Sequence, residues 1–370
     1  MRITLAYNLR TKETEELIEL LPQEDIDRLH KALQDLGHIV TLVEVTGKTD
    51  EIIDRILDSE PEFIFNVAEG IMGDSREAFY PVIYENLSIP FTGSGSSLLL
   101  LNLNKHLTKT VVSTLGINVP KGAWVTENNK LIPKNLKYPL FIKPNAEGSS
   151  KGISQKSVVE NENDCKERIN ELLKIYPSGL VVEEFISGRE LSVPMLEMFP
   201  GQILGIVEYV FDMPSMNTKY NIYDFNAKFN EESKFVKHIC PAELSAKEYD
   251  RIIKMSKKIF NTMNCKDMGR VDLRLNEEGE PYFLEINPLP SLYPNDSLML
   301  AASSKGLSYK DVIELIIKSA LRRYQINIQQ IKLYDSTKVG LPKERPTLRE
   351  KGISIGYFDE CLFDNDAMLI

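Results

Sequence analysis

The sequence has no basic surplus: 44 Lys and Arg stand against 54 Asp and Glu, a formal net charge of −10. Binding nucleic acid requires cations that displace counterions from phosphates, so that class is excluded. Cysteine is scarce, and Cys165, Cys240, Cys265 and Cys361 form no Cys-x-x-Cys pair. This argues against a zinc site or a disulfide framework and fits a reducing compartment. The longest apolar run, Leu98 to Leu101, falls far short of the roughly 18 residues a bilayer span needs. The opening "MRITLAYNLRTKETEEL" meets charge too early for a signal peptide. A cytoplasmic protein without a membrane partner is expected. No Gly-x-Gly-x-x-Gly follows the first apolar segment either, which removes one large class of nucleotide folds.

What remains is an ordinary globular composition, 42% hydrophobic and 26% charged, in a chain of 370 residues, long enough for two or three domains. Residues 1 to about 95 alternate strand and helix patterns: "RITLAY", a helix over Glu24–Leu36, "HIVTLVEV", a helix over Asp50–Leu57, "EFIFNV", a helix over Arg76–Asn86, and a short fourth strand in "IPFTGS". Such alternation implies a parallel sheet flanked by helices. Ligands of such sheets sit beyond the carboxyl ends of the strands, here at Asn8 and the Ala68–Glu77 loop. A helix over Ser97–Leu115 follows, then a β-rich middle with "AWV", "PLFIKP", "GISQKSV" and "LVVEEFI" around a helix over Asp164–Ile175. Further strands "RELSVPML" and "QILGIVEYVF" precede a loop holding "YDFNAKFN", a helix over Ala246–Met263, the pair "MGRVDLRL" and "PYFLEIN", and a helix over Lys310–Arg323. The last fifty or so residues show no clear period.

Two stretches carry chemistry. "FIKPNAEGSSKGIS", residues 141–154, is longer than the two to five residues of a plain turn and offers backbone N–H groups, hydroxyls and an extra cation. It suits a polyanion such as a nucleotide phosphate, although it lacks the Lys-Ser/Thr ending of a P-loop. The second is a hairpin. With Glu277–Glu280 as its turn, Asp272 faces Glu285 and Arg270 faces Asn287 on one side, while Val271, Leu273, Leu284 and Ile286 share the other. Opposed carboxylates repel unless a cation lies between them, and two carboxylates with a carboxamide suit Mg²⁺ shared with phosphate oxygens. The bland alternatives are an exposed Gly/Ser loop and a solvated hairpin face. "LVVEEFISGRE" leads an apolar strand into Glu183 and Glu184, either an exposed linker or acceptors for adenine and ribose.

In order and spacing, "FIKPNAEGSSKGIS", "VVEEFISGRE", "YDFNAKF", "GRVDLRL" and "FLEIN" resemble the ATP-grasp enzymes, and among them the D-alanine–D-alanine ligases, as does "IPFTGSGSSLLLLNLNKHLTK". The likeness covers roughly residues 60–320. It implies an α/β (mixed α+β) ATP-grasp fold: a Rossmann-like N-terminal domain (1–96), a central lid domain (97–187), a C-terminal antiparallel-sheet catalytic domain (188–323) and an extension of unknown role (324–370). It further implies Lys105 and Lys143 on the α/β-phosphates, Ser149 and Ser150 in the phosphate lid, and Glu183, Glu184 and Ile186 at adenine. Glu190 would bind ribose and Lys228 the γ-phosphate, Asp272, Glu285 and Asn287 would hold two Mg²⁺ (Mn²⁺ as an alternative), and Arg270 would stabilise the oxyanion. The cofactors are then ATP and Mg²⁺, the partners are an amino-acid-like carboxylate and an amine, and a homodimer is expected by analogy alone.

The departures fall in the substrate half. The family's Ser-Ala-Glu-Arg-like turn is replaced by "NLRTKETEE", where Glu13 or Glu15 would have to substitute. Glu69 stands where a histidine is usual and Arg76 is new; Lys228-Phe229 replaces Lys-Tyr; and "NPLPSLYPNDS" loses a glycine, leaving Ser291 and adding Tyr293. Glu69, Arg76, Ser291 and Tyr293 are therefore the expected substrate residues, Arg76 either facing a substrate anion or pairing with Glu77 or Glu69 at the surface. The sequence thus predicts an ADP-forming carboxylate–amine ligase working through an acyl phosphate, with an altered substrate pocket. The alternatives are strict D-Ala-D-Ala synthesis, a phosphotransferase without amine coupling, and a nucleotide-binding module without turnover.

Overall fold

The computed structural model describes residues 1–326; residues 327–370, most of the expected C-terminal extension, lie outside the described residues. The N-terminal unit begins with β1 (Arg2–Tyr7), four of whose six residues are buried, followed by α1 (Gln23–Asp35), β2 (Ile39–Glu44), α2 (Thr49–Asp58), β3 (Phe63–Asn66) and α3 (Arg76–Asn86). The three strands form a parallel sheet in the order β2-β1-β3. The expected fourth strand is reduced to a bridge between Ile64 and Phe91.

The helix expected over Ser97–Leu115 is two helices, α4 (Ser96–Leu103) and α5 (Lys105–Ser113). Asn104 leaves helical geometry (φ −82°, ψ 91°) and accepts the Leu107 N–H with its side chain, so it starts a second helix where apolar periodicity alone continues the first. Although these helices fall within the expected 97–187 unit, Leu98 and Val112 pack with the core of the C-terminal sheet. The central sheet joins β4 (Gly122–Val125), β5 (Leu140–Pro144), β6 (Val158–Val159) and, after α6 (Glu162–Leu173), β7 (Leu180–Glu184) in the order β4-β7-β5-β6. Most of the strand expected in "GISQKSV" is instead a 3-10 turn over Gln155–Ser157 with a Ser154–Ser157 capping box.

The third unit contains β8 (Arg189–Leu196), β9 (Val207–Phe211), two short helices α7 (Met213–Met216) and α8 (Phe225–Phe229), β10 (Val236–Ile239), α9 (Ala246–Thr262), β11 (Met268–Leu275), β12 (Pro281–Asn287), α10 (Ser297–Ser304) and α11 (Tyr309–Arg323). Its sheet runs β10-β9-β8-β11-β12 and is antiparallel throughout. Behind it, α9 buries Ile252, Met255, Ile259 and Phe260 against Val271, Leu273, Phe283 and Ile286. A second core runs from Ile3, Leu5, Ile26 and Leu33 to Leu298, Val312, Ile313 and Ile316, so the first and last units share one apolar interior. By area bookkeeping each fully buried side chain of this size contributes about 1.5–3 kcal/mol. No helix among the described residues is long and apolar enough to cross a membrane.

Candidate active site

The β11–β12 register pairs Arg270 with Asn287 and Asp272 with Glu285, as the hairpin reading expects. Beyond Asp272 a β-bulge shifts the ladder, so Leu273 meets Phe283 and not Leu284. An extra residue in one strand turns successive side chains to the same face. Phe283 consequently fills the apolar side, and Leu284, expected there, joins Glu285 on the wall of a cleft.

That cleft, about 180 Å³ in volume, lies between the central and C-terminal sheets and reaches the N-terminal unit. Lys105, Lys143, Ser149, Ser150, Glu183, Glu184, Ile186, Glu190, Lys228, Arg270, Asp272, Glu285 and Asn287 all line it, and so do Glu69 and Ser291. Tyr293 lies apart, in a smaller adjoining pocket with Leu21, Asp25 and Leu29. Arg76 lines neither. It is buried, donating to the Ala146 carbonyl at 2.8 Å and to Glu19 at 3.0 Å, with Glu147 at 3.4 Å. Neither an inward-facing Arg76 nor a surface pairing describes it.

The charges are arranged by sign. Arg270 grips Asp272 bidentately, with Nε and Nη2 each 2.8 Å from a carboxylate oxygen, and Ser192 Oγ donates to Asp272 at 2.5 Å. Lys105 Nζ is 3.3 Å from Glu285. Burial raises the Glu285 carboxyl, but Lys105, Lys143 and Arg270 outweigh it and hold the group down to about 2. Lys143 lies 3.2 Å from Glu183, which also pairs with Lys109. Burial, only partly offset by Glu183, drops Lys109 to about 7. Lys109 follows Lys105 by four residues on one helix face, a spacing visible in the sequence yet not used.

Each loop reaches the cleft through specific contacts. Asn145 accepts the His106 N–H with its side chain and the Lys105 N–H with its carbonyl, which ties the start of α5 to the end of β5. Ser149 and Ser150 both occupy left-handed backbone (φ 49° and 58°), a conformation non-glycine residues hold only under local constraint. Ser150 Oγ donates to the Tyr223 carbonyl at 2.8 Å, joining this loop to the segment before α8. Glu190 accepts from Arg274 at 2.9 Å and from the Tyr223 N–H at 3.3 Å. Phe141, Ile153, Phe185 and Leu284 supply an apolar wall fit for a flat ring, and Arg274 stacks 4.9 Å from the Phe185 ring.

Of the acids in the segment after β1, the one on the wall is Glu19. Glu13 pairs with Arg10, and Glu15 accepts from the Gly152 N–H. The Asn8–Leu21 segment lacks helical or strand period, so no pattern marks Glu19. Asn8 is likewise structural: its side chain accepts the Gly70 N–H at 2.8 Å and donates to Tyr80, fixing the loop after β3. Gly70 (φ +78°) is required there, since a Cβ would sit 2.8 Å from the Arg76 carbonyl.

Known proteins are similar to this chain in sequence and fold. The family described as D-ala D-ala ligase C-terminus matches residues 111–318. A D-alanine–D-alanine ligase from Aquifex aeolicus (strain VF5) is 31% identical over 288 residues, 78% of this chain and 91% of its own. The crystal structure of D-alanine–D-alanine ligase from Bacillus anthracis complexed with ATP covers 88% of this chain and 99% of its own with a TM-score of 0.70 at 20% identity. VanG D-Ala:D-Ser ligase from Enterococcus faecalis covers 86% and 99% with a TM-score of 0.65 at 21% identity. These two share the fold. The chain belongs to the D-alanine–D-alanine ligase family of ATP-grasp enzymes.

Proposed function

We propose that this ATP-dependent, ADP-forming ligase activates an amino-acid carboxylate as an acyl phosphate and couples it to an amine, in a substrate pocket that departs from the family pattern. The observation that supports this reading is the single cleft shared by Lys105, Lys143, Lys228, Arg270 and the opposed Asp272–Glu285 pair. Phosphoryl transfer depends mainly on positioning and on neutralising charge, which this set of cations supplies.

In this reading residues 1–96 form the substrate wall, the central sheet is the lid, and residues 188–323 carry the catalytic face. Lys105 and Lys143 bind α/β-phosphate oxygens, and the Ser149–Ser150 loop covers them. Glu183, Glu184 and Ile186 line the adenine slot beside the Phe141–Phe185 wall, Glu190 holds ribose and Lys228 meets the γ-phosphate. Asp272, Glu285 and Asn287 fit hard divalent ions, two Mg²⁺ or Mn²⁺, as oxygen donors. Among the described residues no group of three His, Cys, Asp or Glu side chains could cage a metal alone, so the remaining ligands would be phosphate oxygens and water. Held by these three side chains, such ions would supply charge neutralisation to the phosphates. Arg270, half-buried beside Asp272, is placed for the oxyanion formed when the amine attacks.

A cytoplasmic homodimer completes the reading; sedimentation at micromolar concentration tests its stoichiometry. The function itself is tested by phosphate release from Mg-ATP against D- and L-amino acids, singly and in pairs, with mass spectrometry of products. Release with D-alanine alone, giving the dipeptide, assigns strict D-Ala-D-Ala synthesis. Release only with another acid–amine pair assigns a rebuilt pocket, and a phosphorylated product formed without an amine assigns a phosphotransferase. No release with any substrate overturns the ligase reading.

A further inference from the structure

Glu69 stands just beyond the carboxyl end of β3, in the loop held by Asn8 and Gly70. It lines both the main cleft and the smaller pocket beside it. The charged groups around it are already engaged. Glu19 is held by Arg76 at 3.0 Å and Lys151 at 2.9 Å, and Glu77 contacts the Asn102 carboxamide at 3.3 Å. Lys228, from α8 across the cleft, is the remaining cation that acts on Glu69. Among the described residues no cation comes within ion-pair distance of the Glu69 carboxyl and no donor hydrogen-bonds to it. Burial, with Glu19 and Glu77 adding to it, pushes this carboxyl well above the usual range against the pull of Arg76 and Lys228. Glu69 is half-buried, so its carboxyl opens onto the cleft and is available to a ligand group.

Most other titratable groups on this wall are occupied; the exception is Asp296 at the start of α10, which lies on the His238 and Arg270 side of the cleft. His238 shares a hydrogen bond with the Tyr223 hydroxyl at 3.2 Å, and Tyr223 stacks on Tyr209 with ring centroids 4.5 Å apart. Glu19 and Glu77 have the partners just described. An ammonium group entering from the N-terminal side meets Glu69 as the unpaired carboxyl of that unit, and its positive charge would favour the ionised form.

We propose that Glu69 is the general base for the incoming amine, an inference that rests on the ligase reading above. The Glu69 carboxylate takes one proton from the ammonium. The freed nitrogen lone pair attacks the acyl-phosphate carbonyl carbon, the C–N bond forms and the C–O bond to phosphate breaks. The second nitrogen proton leaves with the departing phosphate, and Glu69 returns its own to solvent. No oxidant or further reactant is required.

The experiment compares two nucleophiles in the full chain with Mg-ATP and a pool of D- and L-amino acids: hydroxylamine, largely unprotonated near neutral pH, and the amino acids' own amines. Glu69→Gln is expected to slow peptide formation by about 10²- to 10⁴-fold while leaving hydroxamate formation within about twofold of wild type. Equal loss with both nucleophiles, or loss with neither, overturns the proposal. If Glu69→Gln does not fold, Glu69→Asp takes its place: a smaller loss confined to peptide formation supports the base, and loss of both products overturns it. A wild-type enzyme that makes neither hydroxamate nor peptide overturns the ligase reading, and the proposal falls with it.

Discussion

Lys151, in the loop after β5, lies 2.9 Å from Glu19 of the N-terminal unit, and both side chains are almost completely buried. Arg76 reaches the same carboxylate from α3, and Glu147 of the loop completes the group at 2.5 Å from Lys151 and 3.4 Å from Arg76. The loop assigned to the phosphates is thus pinned to the wall assigned to the substrate. Removing one partner of a buried charge pair leaves an uncompensated ion, at a cost of about 3–5 kcal/mol. Arg76→Met leaves Glu19 with Lys151 alone and also removes the donor to the Ala146 carbonyl and one counter-ion of Glu147, so the urea midpoint should fall by a part of that cost. Lys151→Met leaves Arg76 on Glu19, so its expected effect is a smaller loss of stability and a raised KM for ATP. Equal stability loss in the two variants would show that Arg76 is not the main support of Glu19.

The hairpin pair predicts a separation of binding from turnover. Asp272→Asn and Glu285→Gln preserve shape while removing charge, so circular dichroism should match wild type. Phosphate release should fall by at least about 100-fold, since metal-assisted charge neutralisation is worth several kcal/mol. Stabilisation of the melt by Mg-ATP should shrink in the same variants, and chelation with EDTA should reproduce the loss in wild type. Full turnover in either variant would remove the metal assignment.

These results also locate what the sequence makes readable. The Asp272–Glu285 opposition followed from strict alternation and a Gly-containing turn, both local features of one hairpin. Alternation cannot reveal the bulge that brings Leu284 into the cleft, because a bulge is set by how β12 closes over neighbouring elements. Arg189–Leu196 was legible from the alternation of Leu191, Val193 and Met195, and Ala246–Thr262 from apolar positions at helical spacing along its length. The short helix Ser297–Ser304, apolar on most sides, has no polar face to mark it and went unread. Glu19, Arg76, Glu147 and Lys151 converge from three separate loops and helices, so no spacing within the chain announces their meeting. The phosphate-side residues were found largely through family likeness, whereas the altered substrate wall needed the fold.

Lys143 supplies a test that separates nucleotide affinity from stability. It shares Glu183 with Lys109, and all three side chains are buried. Lys143→Ala leaves Glu183 paired with Lys109, so the fold should hold. Losing one charge-assisted contact to phosphate, about 1.5–3 kcal/mol, should weaken ATP binding by about 10- to 100-fold in calorimetry. Glu183→Gln should behave in the opposite way, destabilising the lid by stranding two lysines. Unchanged ATP affinity in Lys143→Ala would contradict its phosphate assignment.

Glu77 gives a stability signature that depends on pH. Burial, with Glu19 adding to it, raises its carboxyl from the ordinary 4.5 to about 7. The folded protein keeps this proton up to about pH 7, whereas the unfolded chain releases it near 4.5. Between those values the folded state binds more protons, so stability falls as pH rises. The contribution is whole below pH 4.5, is lost progressively toward pH 7 and is constant above, for a total of about 3 kcal/mol. Glu77→Gln imitates the protonated carboxyl and cannot ionise. The difference in unfolding free energy between variant and wild type should therefore be small at pH 4.5 and grow in favour of the variant toward pH 8. A difference that stays flat across this range, measured by urea titration at each pH, would mean that Glu77 is ionised throughout in the folded protein. Arg76 would then be its effective counter-ion, despite being committed to Glu19 and Glu147.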